Sequence, residues 1–362
     1  MEEKYEYNDF KYNVDYTHPE PNVEITHNKR SPSSLYKFYS INKFSIDALL
    51  NSYLYASHPF ELNDILDSSP FLLYTSKPLD LERYIDLYGS LHSKEAILEI
   101  WKDDSTVEKK CRQYLLHMYA ISFNLIGIIS LTSKENNILM WPHYAQERGF
   151  QIKFNTSKLI SSISNKLEKE NGEFLGFNPI NYCEKLNPID VYPYKTLFIP
   201  ISYVTNIKSN KWEYEDEWRI LVSKNNMGVP HSKSGLNIIP DHLGNKENRK
   251  TNYDFNDIEE ICLGFNFFIA RDFNITKLDN NTAFSVQPLN GIDFYNYENY
   301  IQFLDFISEQ LSDKFYYSGI KYEMDDQGKL FLIRTKEKLQ IEKIGIDIYK
   351  IIRTNDIIRL FD

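Results

Sequence analysis

Lys211-Trp212-Glu213-Tyr214-Glu215-Asp216-Glu217-Trp218-Arg219-Ile220-Leu221-Val222 sets four carboxylates between two of the four tryptophans, then runs into an apolar strand. Trp218, Ile220 and Val222 alternate with Glu217, Arg219 and Leu221, the period of two that a strand requires. If the segment is extended throughout, Glu215, Glu217 and Arg219 share one face. The two tryptophans can be buried and hold the turn still, so at least one carboxylate is expected at a fixed position. A fixed carboxylate is what acid/base, metal or oxocarbenium chemistry needs. The plainer alternative is an Arg219–Glu217 ion pair that ties the strand to a neighbour. Glu213 is expected in solvent.

Outward from this block, 362 residues suit one large domain with a smaller one, or two domains. A net charge of -10 argues against a general polyanion binder. Cys111, Cys183 and Cys262 lie far apart, without a CxxC or Cys/His cluster, which disfavours a disulfide framework or a structural zinc site. Met1-Glu2-Glu3-Lys4 is not the start of a signal peptide. No apolar run approaches the roughly 20 residues that span a bilayer. A soluble, cytoplasmic protein with no membrane partner is expected.

Residues 1–30 are Tyr- and Asn-rich with no clear period and read as an arm lying on the body or on a partner. Residues 31–288 read as an α+β core. Leu35–Tyr39 alternates as a strand, and Asn42 caps a helix carrying Ile46, Leu49, Leu50 and Tyr53 on one stripe. A short strand, Tyr53–Ser57, then leads into the turn His58-Pro59-Phe60-Glu61-Leu62-Asn63-Asp64. Residues 77–120 read as helical, 174–205 as short strands broken by prolines, and 224–254 as a long polar loop. Residues 289–362 read as a small α+β appendage. In it Tyr300, Phe303, Leu304, Ile307 and Leu311 form an amphipathic helix. Asp325-Asp326-Gln327-Gly328 turns a hairpin, and 336–362 mixes helix and strand signals.

Three blocks carry a resemblance. They are Leu35–Tyr39 through Asn63-Asp64, Met140-Trp141-Pro142-His143-Tyr144-Ala145-Gln146-Glu147-Arg148-Gly149-Phe150, and the opening stretch. In this order they resemble the bacterial domain-of-unknown-function 2971 family, over roughly residues 34–270. That family has a Tyr-Lys-Tyr-like strand and a Phe-x-x-Asn-Asp turn. It also has Trp-x-x-Tyr-Ala…Gly-Phe and Trp-x-x-Glu-x-Glu-Trp-Arg blocks. The name supplies no activity.

More distantly, the first and third blocks resemble ADP-ribosyltransferase-type folds, which implies a split β-sheet core with flanking helices. The resemblance implies an enzyme that cleaves NAD as its substrate and transfers ADP-ribose to an unknown acceptor. By analogy with similar folds it would be a toxin-type effector of bacterial conflict or phage defence. Glu217 would stabilise the ribosyl cation and Glu215 would activate or orient the acceptor. Tyr36, Tyr39 and Tyr144 would frame the nicotinamide, Lys37 or Arg148 would meet the pyrophosphate, and Asn63 would lie in the same site. The first strand lacks the His-x-Thr or Arg of such folds. Their middle Ser-Thr-Ser or Tyr has two competing equivalents here, Ser130-Leu131-Thr132-Ser133 and Tyr144.

Two other functions compete. One is a metal-dependent nuclease built on Asp64, Glu215 and Glu217. The other is a non-catalytic sensor or scaffold whose partner surfaces are the arm and the appendage. Plainer roles also exist for single residues. Trp141, Tyr144, Trp212 and Trp218 suit a core, Asn63 and Asp64 suit an Asx-type turn, and Gly149 suits a special backbone angle before a strand.

Overall fold

A computed structural model describes residues 2–17, 23–80, 82–83, 115–116, 119, 122–228, 245–279, 282–290 and 294–360, with side chains at 294–296 left aside. Most of the helix expected over 77–120 and about half of the loop expected over 224–254 lie outside the described residues. The chain is α+β and forms two compact units, each assembled from distant segments. Unit 1 comprises Met1–Ser31, Tyr55–Ser130 and Ser164–Thr251. Unit 2 comprises Pro32–Leu54, Leu131–Ile163 and Asn252–Asp362. The units are thus not the consecutive spans 1–30, 31–288 and 289–362 that the sequence suggests.

Unit 2 carries a large mixed sheet. Its strands run, neighbour to neighbour, Phe273–Lys277, Ala283–Pro288, Ile348–Arg359, Leu330–Gly345, Phe315–Met324, Ile258–Leu263, Phe150–Asn155 and Ser34–Tyr39. The pairing of Ile258–Leu263 with Phe315–Met324 is parallel. The other pairings are antiparallel. The helix Phe294–Gln310 buries Tyr300, Phe303, Leu304 and Ile307, and Phe303 meets Phe150 at 4.8 Å between ring centroids. The C-terminal segment thus shares a core with the strands of the middle of the chain. Asn42 caps the helix Lys43–Leu50 through a capping box with Ser45, as its position predicts. The turn Asp325–Gly328 forms as expected, with Gly328 at φ +76. The mixed signals of 336–362 resolve into strand, because Leu330–Gly345 and Ile348–Arg359 pair with each other.

In unit 1 the N-terminal segment is not an arm. Glu2–Tyr7, Phe10–Asp15 and Val23–Thr26 form an antiparallel three-stranded sheet. Phe10, Tyr12 and Val14 alternate inward and are buried in the unit's core. The Tyr12 hydroxyl donates to Asn206 Oδ1 at 2.7 Å, and the Tyr203 ring takes the edges of Tyr5, Tyr7 and Tyr12. The tyrosines of this segment pack on the core, and the Tyr7, Tyr12 and Tyr203 hydroxyls each find an acceptor. Part of 174–205 is also corrected. Glu173–Pro179 and Asn181–Cys183 are strands, but Phe198–Asn206 is a helix. Pro200 lies in its first turn, where a missing N–H breaks no helical bond. Glu173–Pro179 pairs antiparallel with Glu217–Ser223, and Asn181–Cys183 runs parallel to Ile207–Ser209. Among the described residues, no helix is long and apolar enough to cross a membrane.

Candidate functional site

The opening stretch folds in two parts. Ser209 caps a 3-10 helix, Asn210–Glu215, and Asp216 ends it in a left-handed turn at φ 43. The strand Glu217–Ser223 begins at once. Asp tolerates the left-handed region better than most residues, which lets the chain reverse without a glycine. Glu215 is therefore helical and not extended, yet the turn still brings it back beside Glu217. Both are 4% exposed. Glu213 is exposed, as expected. Trp218 is buried, stacked on Phe177 at 4.8 Å with His27 edge-on. Trp212 is half-buried. Its Nε1 donates to Asp64 Oδ2 at 2.8 Å, which joins the opening block to the Asn63-Asp64 turn.

Three carboxylates and two cations meet in this interior. Lys208 Nζ lies 2.6 Å from Glu215 Oε2, 2.9 Å from Glu217 Oε2 and 3.3 Å from Asp67 Oδ2. The Trp212 ring covers the same ammonium at 5.2 Å. Arg219 donates from Nε to Glu217 Oε1 at 2.7 Å and from Nη2 to Asp67 Oδ2 at 2.6 Å. Its Nη1 donates to Ser68 Oγ at 2.9 Å and to the Thr205 carbonyl at 2.8 Å. The Glu217 backbone N–H donates to the Tyr182 hydroxyl at 2.9 Å. The Ser130 side chain also hydrogen-bonds the Glu217 carboxylate.

Burial alone would push the Glu217 carboxyl up, but Arg219 and Lys208 outweigh it and hold the group well below the usual carboxylate range. Burial would likewise lower Lys208, but Glu217 and Asp67 outweigh it and raise it. The sign of the pH dependence follows. A carboxyl depressed in the folded state contributes stability above its unfolded value and loses it as pH falls. For Glu217 the loss starts below the ordinary 4.5 and continues down the acid range. Urea unfolding of wild type should therefore weaken between about pH 5 and pH 3, and Glu217→Gln should flatten that slope. Equal slopes would refute the assignment.

The remaining expected residues fall elsewhere. Asn63 is exposed in unit 1, next to Asp64. Tyr36, Lys37, Tyr39, Tyr144 and Arg148 belong to unit 2. Tyr36 and Tyr39 cannot frame one ring together, because residues three apart on a strand point to opposite faces. Tyr36 packs in a small cluster with Phe38, Trp141 and Tyr144, whereas Tyr39 stacks on Phe150. Tyr36 and Tyr144 do come together. The Tyr36 hydroxyl donates to Glu135 Oε2 at 3.5 Å. Its phenol is pushed up, first by burial and then by Glu135 and Glu260. Lys336 lies among Glu135 and Glu260 and is itself buried. Lys37 and Arg148 are partly buried. Trp141–Ala145 is one turn of π-helix, a form frequent at functional sites, and ends in left-handed Gln146 and Glu147.

Sequence reasoning missed Asp67, Lys208 and Lys336. The signal for Lys208 was present: it is a single cation closing the apolar run Phe198–Ile207. Asp67 and Lys336 gave no local sign. For the nuclease reading, the acids are committed to Lys208, Arg219 and Trp212. Among the described residues no group of three or more His, Cys, Asp or Glu is disposed to hold a metal ion.

Residues 140–220 match the family model described as a protein of unknown function, DUF2971. The match takes in the π-helical turn, Lys208, both glutamates and Arg219. No curated protein and no solved structure matches the chain. The Trp-x-x-Tyr-Ala and Glu-x-Glu-Trp-Arg blocks both lie inside this match, so over residues 140–220 the chain is similar to the DUF2971 family.

Proposed function

We propose that the acidic block is a buried ionic keystone of unit 1 and that the chain works as a non-catalytic scaffold or sensor. One observation carries this reading. Both oxygens of the Glu217 carboxylate are engaged, by Arg219 at 2.7 Å and Lys208 at 2.9 Å, and the residue is 4% exposed. A carboxylate that stabilises a ribosyl cation must present an oxygen to the ribose. Freeing one here means opening a buried ion pair, which costs about 3–5 kcal/mol. The exposed apolar side chains of the C-terminal strands give such a protein surface to bind with.

ADP-ribosyl transfer from NAD to a protein, nucleic-acid or small-molecule acceptor is the competing proposal. It is favoured by Glu217 being held ionised, as oxocarbenium stabilisation requires, and by the contact of Ser130 with that carboxylate. Incubating the pure full chain with NAD and following nicotinamide release separates the two. The keystone reading expects no release above the blank from wild type or from Glu217→Gln, together with a less stable variant. Release by wild type that a folded Glu217→Gln variant loses would overturn it in favour of the transferase.

A further inference from the structure

The strand Phe315–Met324 is only partly covered. Its parallel partner Ile258–Leu263 takes up Phe315–Tyr317, so Ser318–Met324 is left as an edge among the described residues. On the other side Leu330–Lys338 pairs with Tyr316–Met324. Ile320, Tyr322 and Met324 share one face of this edge and are 47%, 71% and 65% exposed. Their cross-strand neighbours Leu332 and Leu330 are exposed on the same face. Lys321 and Glu323 occupy the other face. An open edge with an apolar face invites another strand.

We propose that this edge pairs antiparallel with the same edge of a second copy of the chain, about a two-fold axis at Tyr322. The register argues for self-association. An axis at Tyr322 sets Lys321 opposite Glu323 of the second copy, and Glu323 opposite its Lys321. On the apolar face it sets Tyr322 opposite Tyr322, and Ile320 opposite Met324. Every facing pair is then opposite in charge or apolar on both sides, as an isologous contact requires. Glu323 already meets Arg359 at 2.7 Å within its own chain, and its side chain keeps part of its surface exposed. The inference deepens the binding reading above and rests on it only in supposing that exposed strand surface is used. The nicotinamide assay and the test below fail independently.

The test is sedimentation equilibrium of the full chain, up to about 100 µM. The expected mass is twice 42.9 kDa. Lys321→Glu puts like charges opposite each other at both ends of the contact and should weaken association about tenfold or more. Glu323→Lys should do the same. An equimolar mixture of these two variants restores opposite charges in both pairs and should recover the dimer mass. Near-unchanged circular dichroism is the folding check, since Lys321 is exposed. A monomeric wild type would overturn the proposal and leave Lys321 as a guard against edge pairing. A dimer indifferent to either variant, or a mixture that stays monomeric, would overturn it as well.

Discussion

Arg219→Met is expected to remove about 3–5 kcal/mol of folding free energy, enough to leave unit 1 marginal. The cause is not the lost ion pair as such. Arg219 is 3% exposed and serves Glu217, Asp67, Ser68 and the Thr205 carbonyl together. Its removal takes the guanidinium from Asp67 and Glu217, which already share Lys208 with Glu215, and leaves a buried hydroxyl and a carbonyl each short of a donor. Neutralising the two carboxylates along with the arginine behaves differently, because much of the loss from breaking a buried pair is the cost of leaving a buried charge uncompensated. Adding Asp67→Asn and Glu217→Gln to Arg219→Met should therefore recover part of the loss, a strongly non-additive result. Urea unfolding at neutral pH measures both. A single variant within about 1 kcal/mol of wild type would sink the keystone.

What could be read from the sequence follows how local each interaction is. The strand Glu217–Ser223 was legible because alternation is a property of neighbours. The helix cap at Asn42 and the turn at Asp325–Gly328 were legible for the same reason. The meeting of Glu215 and Glu217 was expected from a shared strand face. It arises instead from the left-handed turn at Asp216, which no periodicity encodes. Asp67 reaches Arg219 across 152 residues of sequence, so only the fold could reveal it. Two errors were avoidable. Phe10, Tyr12 and Val14 alternate as plainly as the opening strand, but residues 1–30 were read as an arm with no clear period. Tyr36 and Tyr39 were assigned to one ring although three residues on a strand separate them to opposite faces.

Gly149→Ala is expected to be as damaging as any single methyl added to unit 2, at about 4 kcal/mol or more. The residue was expected to supply a special backbone angle, but it does not take a positive φ. It supplies close approach instead. A Cβ there would lie 1.8 Å from the Tyr39 carbonyl oxygen, 2.8 Å from the Tyr39 carbonyl carbon and 2.9 Å from Ser40 Cα. All three are backbone atoms, so no side chain can swing away. Tyr39 is fixed in register opposite Phe150, the next residue along the chain. The Gly149 N–H donates to the Ala145 carbonyl at 2.7 Å, and its carbonyl accepts from Gly264 N at 2.9 Å. Relief therefore means shifting either the strand Ser34–Tyr39 or the end of the π-helical turn. Both hold the cluster of Tyr36, Phe38 and Trp141, so a shift would also disturb that packing. Gly176→Ala is the control. A Cβ there meets only the Asn178 side-chain nitrogen at 3.0 Å, and the cost should stay within about 0.5 kcal/mol. Comparable urea midpoints for the two variants would show that close approach at Gly149 is not what the Gly149-Phe150 pair is for.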